Sequence, residues 1–396
     1  MSIEVSKIVQ GVEPSATLAM SAKAKELKSA GETVYNLSVG EPDFDTPKHI
    51  CEAAIEAMKA GHTRYTVSSG IPQLKEAVCR DYKNRFGLDY KPTQCVVSCG
   101  AKHSLHNAFF TSLNPGDEVI LPAPCWVSYA ELIKLCGAIP VIVETKQEDD
   151  FKLTADAFLA AITPKTKMLL LCNPSNPTGS CYTRDELLTL AKIVVEKDLV
   201  VIADEIYERL VYGGRSFTSF PTVLDGLQER TILIGGVSKT YAMTGWRIGW
   251  LLAPEAFTKK VSSLQSQETS NPCSISQYAA LAALEGDQSC VEAMKVEFEK
   301  RRNYVTERIA GIPGLSAPQM DGAFYAFMNI KNFLGRTYGG VEVRTDRDWC
   351  LALLEQKKVA TVFGSAFFAD GYARASFAAS METLEIAFDR IAEFVK

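Results

Sequence analysis

The chain has 396 residues, of which 47% are hydrophobic and 22% charged, a balance typical of a folded globular protein of two to three domains and not of a disordered or membrane-embedded chain. Its 42 Lys and Arg against 47 Asp and Glu give a formal charge of -5. Because no long basic run and no long apolar run occurs, the sequence predicts binding neither to nucleic acid nor to a membrane.

The numbers and spacing of cysteines and histidines bear on the cellular compartment and on metal binding. The 11 cysteines are scattered without a C-x-x-C pair, which is typical of reduced thiols inside a cell. The 4 histidines offer few ligands, so no metal site is expected. Residues 1–10 contain no apolar core of a secretion signal. Together these features predict a cytoplasmic protein.

The elements in chain order begin with a predicted helix over residues 16–30. Seven apolar runs then predict strands at residues 95–99, 118–121, 140–143, 167–172, 199–203, 231–234 and 248–252. Helical periodicity falls between several of them, at residues 102–113, 128–136 and 184–197. This alternation predicts an α/β fold, a three-layer sandwich with a mostly parallel seven-stranded central sheet. The crevice at the carboxyl ends of its strands is the expected ligand site.

Beyond residue 271 the pattern changes to a smaller α+β unit. Helices are predicted at residues 274–284, 291–310, 346–357 and 381–395, and strands at residues 323–330, 360–362 and 373–378. The Gly-rich residues 335–341 predict a surface loop. With the N-terminal helix, these elements predict a small domain of residues 1–46 and 296–396, beside a large domain of residues 47–295.

Two charged residues follow predicted strands at the carboxyl edge. Lys239 comes after residues 231–234; a desolvated lysine amine is nucleophilic and forms an imine with a carbonyl, although a lone lysine is usually only solvated. Asp204 follows residues 199–203, where a carboxylate would either pair with a protonated pyridine nitrogen or cap a following helix. Tyr207, three residues later, would donate its hydroxyl to an oxyanion.

Three further motifs share that edge. Asn176 lies in a turn of residues 173–179, where two Asn-Pro pairs and a glycine hold its amide in one orientation. Residues 98–102 form a strand-to-helix junction whose backbone N–H groups suit a phosphate, as many such junctions do. Trp126 follows another strand and either stacks on an aromatic ring or packs in the core.

The combination of N-P-x-N-P-T-G at residues 173–179, D-E-I-Y at 204–207 and S-K-x-x-x-M-T-G-W-R-I-G at 238–249 resembles the class I pyridoxal-phosphate aminotransferases of fold type I. The segments GEPDFDTP at residues 40–47 and WVSY at 126–129 are similar to the bacterial-type aspartate aminotransferases, a branch that includes aspartate/prephenate aminotransferases. The resemblance covers nearly the whole chain, because these motifs occur in the family's order from residue 14 to Arg374.

The resemblance implies pyridoxal 5'-phosphate as cofactor and a role for each matching residue. Lys239 would bind the cofactor covalently and then move the proton during transfer, and Asp204 would keep the pyridine nitrogen protonated. Asn176 and Tyr207 would hydrogen-bond the ring oxygen, and Trp126 would stack on the ring. The phosphate would be bound by backbone N–H groups, a hydroxyl and a cation, which belong to Ala101, Lys102, Ser238 and Arg247.

The resemblance also implies two small-molecule substrates, an amino acid and a 2-oxo acid, and a second subunit. Arg374 would bind the substrate α-carboxylate through a two-point salt link. Asn176, Trp126 and the backbone of Gly40 would lie beside that carboxylate. Tyr65 matches a tyrosine that reaches the phosphate in the site of the other subunit, so a homodimer with shared active sites is expected.

The reaction expected from the resemblance is L-aspartate plus 2-oxoglutarate to oxaloacetate plus L-glutamate, by a ping-pong mechanism. Aromatic, alanine and prephenate aminotransferases stay open as alternatives, as do a lyase on the same fold and a binding module without turnover. Cys125 stands where relatives usually have Tyr. Phe110 stands where some aspartate-specific relatives have Lys. Thr17 and Lys102 match residues of prephenate-using relatives, whereas Glu13 replaces a lysine that these often carry.

Overall fold

The computed structural model of the protein describes residues 3–396. Met1 and Ser2, which belong to the predicted small domain and to the N-terminal residues 1–10, lie outside the described residues. The described residues form the helices α1 (Lys7–Gln10), α2 (Ala16–Ser29), α3 (Lys48–Lys59), α4 (Pro72–Phe86), α5 (Ala101–Ser112), α6 (Ser128–Leu135), α7 (Ala155–Ala161), α8 (Arg184–Glu196), α9 (Glu255–Glu268), α10 (Ser274–Glu285), α11 (Ser289–Ala310), α12 (Asp346–Lys357) and α13 (Met381–Phe394). The strands are β1 (Tyr35–Asn36), β2 (Cys95–Ser98), β3 (Glu118–Ala123), β4 (Ile139–Glu144), β5 (Thr166–Cys172), β6 (Val200–Asp204), β7 (Thr231–Gly236), β8 (Gly249–Leu252), β9 (Tyr325–Asn329), β10 (Arg336–Tyr338), β11 (Val341–Val343), β12 (Val359–Ala360), β13 (Val362–Phe363) and β14 (Tyr372–Ser376).

A seven-stranded sheet forms the centre of the molecule, in the order β2-β8-β7-β6-β5-β3-β4. Strand β8 is antiparallel to both of its neighbours, and the other pairs are parallel. All seven predicted strands are confirmed, each within two residues of its predicted bounds. The mostly parallel order brings the carboxyl ends of β5, β6 and β7 to one edge, and this edge carries the polar motifs.

Helices cover both faces of this sheet, which confirms the predicted three-layer sandwich. Neighbouring residues of a strand point to opposite faces, so on β5 Leu170 packs against the layer of α5, α6 and α9, whereas Leu169 packs against the layer that contains α7 and α8. Helices α3, α4 and α10 continue that second layer over β2, β7 and β8. Because helices cover both faces, the inner strands are mostly apolar and lack the polar alternation of a half-exposed sheet, whereas the edge strand β4 is only partly buried.

A second apolar core joins the two ends of the chain. It contains Met20 and Ala24 of α2 together with buried side chains of α11, α12 and α13. A three-stranded antiparallel sheet, in the order β13-β14-β9, lies in the same core, and β1 pairs with β12 in parallel. The division into residues 47–295 and residues 1–46 with 296–396 stays a prediction, and its boundary at 295 falls inside α11.

The structure corrects two of the predicted elements. Residues 335–341, predicted as a surface loop, contribute to a β-hairpin in which β10 pairs with β11 across Gly339 and Gly340. Both glycines have positive φ, at 53° and 84°, which is the conformation that a tight hairpin turn requires. The predicted strand 360–362 is two strands: β12 pairs with β1, and β13 pairs with β14, so the chain passes between two sheets at Thr361.

Two kinds of feature are missing from the part of the chain that the structure describes. No helix between residues 3 and 396 combines the length and the apolar character needed to cross a bilayer. The same residues hold no group of three or more His, Cys, Asp or Glu side chains arranged for a metal ion.

Candidate functional site

A cavity of about 300 Å³ lies at the carboxyl edge of the central sheet, where the two apolar cores meet. It brings together all but one of the residues that the sequence singles out for the site. Those that line it are Gly40, Ala101, Lys102, Trp126, Asn176, Asp204, Tyr207, Ser238, Lys239, Arg247 and Arg374. Such a site, built from strand ends, is the usual ligand position in an open α/β sheet.

Tyr65 is the exception. It lies between α3 and α4, and its side chain is 90% exposed and does not line the cavity of its own chain. Its expected contact with a second subunit stays a prediction.

Lys239 lies just beyond the end of β7 and points into the cavity. Its Nζ donates a hydrogen bond to the carbonyl oxygen of Gly40 at 2.7 Å. Burial lowers the pKa of the Lys239 ammonium to about 8; the charges of Arg247 and Arg374 lower it further, while Glu41 opposes them. A larger fraction of the amine is therefore neutral, and so nucleophilic, than in a solvated lysine.

Asp204 is the last residue of β6, and its side chain is only 3% exposed. Its Oδ2 accepts a hydrogen bond from the Tyr129 hydroxyl at 2.6 Å, and its Oδ1 accepts one from the backbone N–H of Ile206 at 3.2 Å. Burial raises the pKa of this carboxyl to about 6, and these two hydrogen bonds limit the increase. No helix follows β6 before residue 219, so the alternative of a helix cap is wrong. A buried carboxylate at this place needs a cationic partner.

Tyr207 and Tyr325 face each other across the cavity. Their hydroxyl oxygens are 2.8 Å apart, and both rings are buried. Tyr207 comes from the turn after β6, whereas Tyr325 begins β9 in the core that joins the chain ends. Burial raises the pKa of both phenols, so both hydroxyls keep their protons near neutral pH and can donate to an oxyanion.

The predicted phosphate cradle lies at the turn from β2 to α5. Gly100 has a φ of +86°, which lets the chain reverse there, and a Cβ at this position would overlap the guanidinium of Arg247. Helix α5 starts at Ala101, so the N–H groups of Ala101 and Lys102 precede its first internal hydrogen bond. With Arg247 opposite, this end of the cavity suits a dianion.

Trp126 forms a wall of the cavity and also packs on the core. The packing role is confirmed, and stacking on an aromatic ring stays a prediction. The ammonium of Lys102 lies 4.7 Å from the centre of its ring, and the ring of Tyr129 meets it edge-on at 5.2 Å. These contacts fix the plane of the indole.

Arg374 lies on β14 and is 1% exposed. Its Nη1 donates to Asn176 Oδ1 at 3.0 Å and its Nη2 to the carbonyl oxygen of Ser38 at 2.7 Å, while the ring of Tyr325 lies 4.5 Å from the guanidinium carbon. Across residues 3–396, no carboxylate forms an ion pair with Arg374, and its buried Nε has no hydrogen-bond partner. A buried guanidinium without an anion is costly, so this cation is placed for an anionic ligand.

The charges of the cavity are unbalanced. Four cationic side chains line it, those of Lys102, Lys239, Arg247 and Arg374, and Asp204 is the one carboxylate among its lining residues. A ligand with a phosphate and carboxylates would neutralise this excess. The groups that line the cavity fit pyridoxal phosphate. They comprise an amine, a buried carboxylate and an aromatic wall, and the backbone N–H groups and the guanidinium lie together at a separate end.

Tyr129 and Tyr325 line the cavity and hydrogen-bond to predicted site residues, yet neither is among the residues predicted for the site. A signal for Tyr129 exists, because it follows Trp126 by three residues and helical neighbours at that spacing share a face. No local signal identifies Tyr325, whose distance from Tyr207 along the chain is closed only by the tertiary fold.

Comparison with known proteins gives consistent results. The sequence model of a family described as "Aminotransferase class I and II" matches residues 32–391. The chain is 45% identical to the aspartate aminotransferase of Geobacillus stearothermophilus, over 100% of this chain and 99% of that protein. It is 45% identical to the aspartate/prephenate aminotransferase of Cereibacter sphaeroides, over 97% and 96%. Among solved structures, the aspartate aminotransferase of Rhizobium meliloti superposes with a TM-score of 0.96 at 39% identity, over 100% of this chain and 99% of that one.

Proposed function

Because the chain belongs to the class I and II aminotransferases, enzymes that use pyridoxal phosphate, we propose that it transfers the amino group of L-aspartate to 2-oxoglutarate. The products are oxaloacetate and L-glutamate, and the two half-reactions follow a ping-pong order. The resemblance stated from the motifs and the family comparison agree on the class of enzyme.

The state of Arg374 is the observation that carries this proposal. Its guanidinium is buried, faces the same cavity as Lys239, and has no carboxylate partner in residues 3–396. An α-carboxylate bound there would place an amino acid with its reacting end toward the lysine. A phosphate dianion and one α-carboxylate already balance the four cations and Asp204 of the lining, so the choice of aspartate and 2-oxoglutarate is supported by the relatives named aspartate aminotransferase.

The residues of the chain would divide the work as follows. Lys239 Nζ, neutral in part because of its lowered pKa, would form the covalent link to the cofactor and later carry the proton that leaves the substrate α-carbon. Asp204 would hold a proton on the cofactor's ring nitrogen, and Tyr207 with Asn176 would donate to the ring oxygen. When bound, pyridoxal phosphate supplies a carbonyl carbon and a ring that withdraws electrons from the substrate α-carbon.

Binding of the substrate by Arg374 would also exclude water. Arg374 and Tyr325 belong to the core that joins the chain ends, whereas Asp204 and Asn176 belong to the central sheet and its loops. A substrate held between these groups would draw the two sides of the cavity together.

The proposed enzyme is a homodimer with shared active sites. Tyr65 is exposed, and so are three apolar residues near it along the chain, Val67 and, on α3, Ile55 and Met58. Exposed apolar side chains that form a patch mark interaction surfaces. Sedimentation equilibrium of the wild-type protein at micromolar concentration is expected to give the dimer mass, and a monomer mass would contradict the assignment.

We place the enzyme in the cytoplasm. All 11 cysteines, from Cys51 to Cys350, are free thiols in the structure, as expected for a reducing compartment.

The reaction is tested with a panel of amino donors, each offered with 2-oxoglutarate. We expect aspartate to have a higher kcat/KM than phenylalanine, tyrosine or alanine. A panel in which aspartate is among the poorest donors would contradict the substrate assignment, and release of product without any 2-oxo acid would indicate a lyase.

Transamination between glutamate and prephenate is a second candidate. Thr17 and Lys102 both line the cavity, and within residues 3–396 the buried hydroxyl oxygen of Thr17 has no hydrogen-bond partner. Glu13, which departs from the prephenate-using pattern, does not line the cavity, and its backbone N–H is bonded to Glu131. Prephenate belongs in the acceptor panel for this reason.

A further inference from the structure

The only side chain that hydrogen-bonds Asp204 among the described residues is Tyr129. It is the second residue of α6 and is 1% exposed. Side chains in the first turn of a helix point back toward its N-terminus, and α6 begins beside the carboxyl edge of the sheet. The Tyr129 hydroxyl thereby reaches Asp204 at the end of β6 and donates to Oδ2 at 2.6 Å.

The other ionisable groups that face Asp204 do not replace this donor. Cys172 lies opposite Asp204 on β5, but its thiol donates to the carbonyl oxygen of Pro174 at 3.4 Å. Lys239 faces Asp204 from the end of β7 and donates to Gly40. Backbone support is limited to the N–H of Ile206, at the longer distance of 3.2 Å.

We propose that Tyr129 is a positioning residue that keeps the Asp204 carboxylate ionised and fixed in orientation, so that Asp204 holds the proton on the ring nitrogen of pyridoxal phosphate. The inference rests on the proposed function. A hydroxyl donating to a carboxylate over so short a distance makes a charge-assisted bond, and such bonds are about twice as strong as neutral ones. Without it, the buried carboxylate takes up a proton more readily and no longer stabilises a cationic ring.

Burial gives this donor a fixed protonation state. The pKa of the Tyr129 phenol is raised well above its usual range, first by burial and then by the charge of Asp204. The hydroxyl therefore remains a donor wherever Asp204 is ionised. Burial raises the pKa of Asp204. The hydrogen bond from Tyr129 is the largest of the contributions that lower this pKa.

A purely structural role for Tyr129 is the competing explanation, because its ring packs edge-on against Trp126. Tyr129→Phe separates the two, since it keeps the ring and removes only the hydroxyl. Tyr182→Phe is the matched control: Tyr182 is also buried, its hydroxyl also makes one hydrogen bond, to the N–H of Leu153 at 2.8 Å, and it does not line the cavity.

The direct measurement is the ¹⁵N NMR shift of the ring nitrogen in enzyme loaded with ¹⁵N-labelled pyridoxal phosphate, followed from pH 6 to pH 9. In wild type we expect a protonated nitrogen over this range. In Tyr129→Phe we expect the nitrogen to lose its proton within the range, and the cofactor to dissociate about 10-fold more readily from the protein, as for the loss of one hydrogen bond to a charged group. Tyr182→Phe should give the wild-type values for both.

Unchanged nitrogen titration and cofactor affinity in Tyr129→Phe would overturn the inference. If that variant does not fold, Tyr129→3-fluorotyrosine keeps the hydroxyl and makes it a stronger donor. For this variant and for wild type the titration is continued above pH 9. The nitrogen should lose its proton at higher pH in the variant than in wild type, and an unshifted titration would contradict the role. Wild-type protein that binds no pyridoxal phosphate would instead contradict the proposed function.

Discussion

Replacing Arg374 by Met should remove catalysis and leave the protein nearly as stable as before. The change deletes a buried guanidinium that donates to Asn176 Oδ1 and to the carbonyl oxygen of Ser38, but that forms no ion pair within residues 3–396. Methionine fills much of the same volume with an unbranched chain. The variant therefore tests whether the charge serves the ligand or the fold.

The expected loss of activity follows from the two-point link to the substrate carboxylate. Each hydrogen bond to a charged group contributes about 1.5–3 kcal/mol. Two such bonds give about 3–6 kcal/mol, which corresponds to a decrease of roughly 10²- to 10⁴-fold in kcat/KM for aspartate. Initial rates at varied aspartate and saturating 2-oxoglutarate measure this quantity.

The expected change in stability is small because two effects oppose each other. The variant no longer buries a charge whose burial lowers the pKa of Arg374 below its usual range, which favours folding. It leaves two oxygen atoms without their donor, which costs about 1–3 kcal/mol for each that stays dry. We expect the urea-unfolding free energy of the ligand-free protein to change by about 1–2 kcal/mol or less.

Arg301→Met is the matched control. Arg301 is 5% exposed, but its guanidinium is paired with Asp43 at 2.6 Å and with Glu297 at 3.2 Å. Both carboxylates are partly exposed and would rehydrate, so we expect a loss of about 1–3 kcal/mol in unfolding free energy and a normal kcat/KM per folded molecule. If Arg374→Met lost stability as Arg301→Met does while retaining kcat/KM, the assignment of Arg374 to the substrate would be refuted.

Three further predictions concern the cavity and its surroundings. The rate at which cofactor-free protein captures pyridoxal phosphate should rise with pH up to about 8 and then level off, because burial lowers the pKa of Lys239 to about 8 and only the neutral amine reacts; a rate still rising at pH 10 would contradict this. Glu205→Gln should stabilise the protein, and the gain in urea-unfolding free energy should grow from about pH 4 to pH 8. The reason is that burial raises the pKa of Glu205 to about 8, so the folded state keeps a proton that the unfolded state releases near pH 4; a gain independent of pH would count against it. Mixing Tyr65→Ala subunits with Lys239→Ala subunits, which lack the reactive amine, should raise the activity above that of either variant alone, because a hybrid dimer with shared sites contains one site free of both changes; no increase after verified subunit exchange would argue against shared sites.

The central sheet was predictable because its strands are buried on both faces. Each appears in the sequence as a short apolar run, and the polar residues that follow β5, β6 and β7 mark the carboxyl edge. Lys239, Asp204 and Asn176 meet at this edge because each follows one of these strands. Their proximity is therefore predictable from the order of apolar runs and polar residues in the sequence. The motif resemblance adds Arg374, which lies in a strand of the other core and shares no local pattern with the first three.

Features that depend on tertiary contacts were not predictable in the same way. Residues 335–341 contain Gly339 and Gly340 between two alternating segments, which is a hairpin signal that the loop prediction overlooked. The pairing of Tyr207 with Tyr325, and the split at Thr361 between two sheets, are set by packing between distant segments. Helices α3 and α4 lie outside the predicted elements, although the Gly-rich turn and proline before α4 mark its start.

The most direct test of the proposed reaction is the isolated first half-reaction. Enzyme loaded with pyridoxal phosphate is mixed with L-aspartate alone, and oxaloacetate is measured per active site. We expect one equivalent of oxaloacetate per site, no further product until 2-oxoglutarate is added, and then continuous turnover with formation of L-glutamate. Absence of oxaloacetate in the first step, or continuous product release without the 2-oxo acid, would contradict an aspartate aminotransferase.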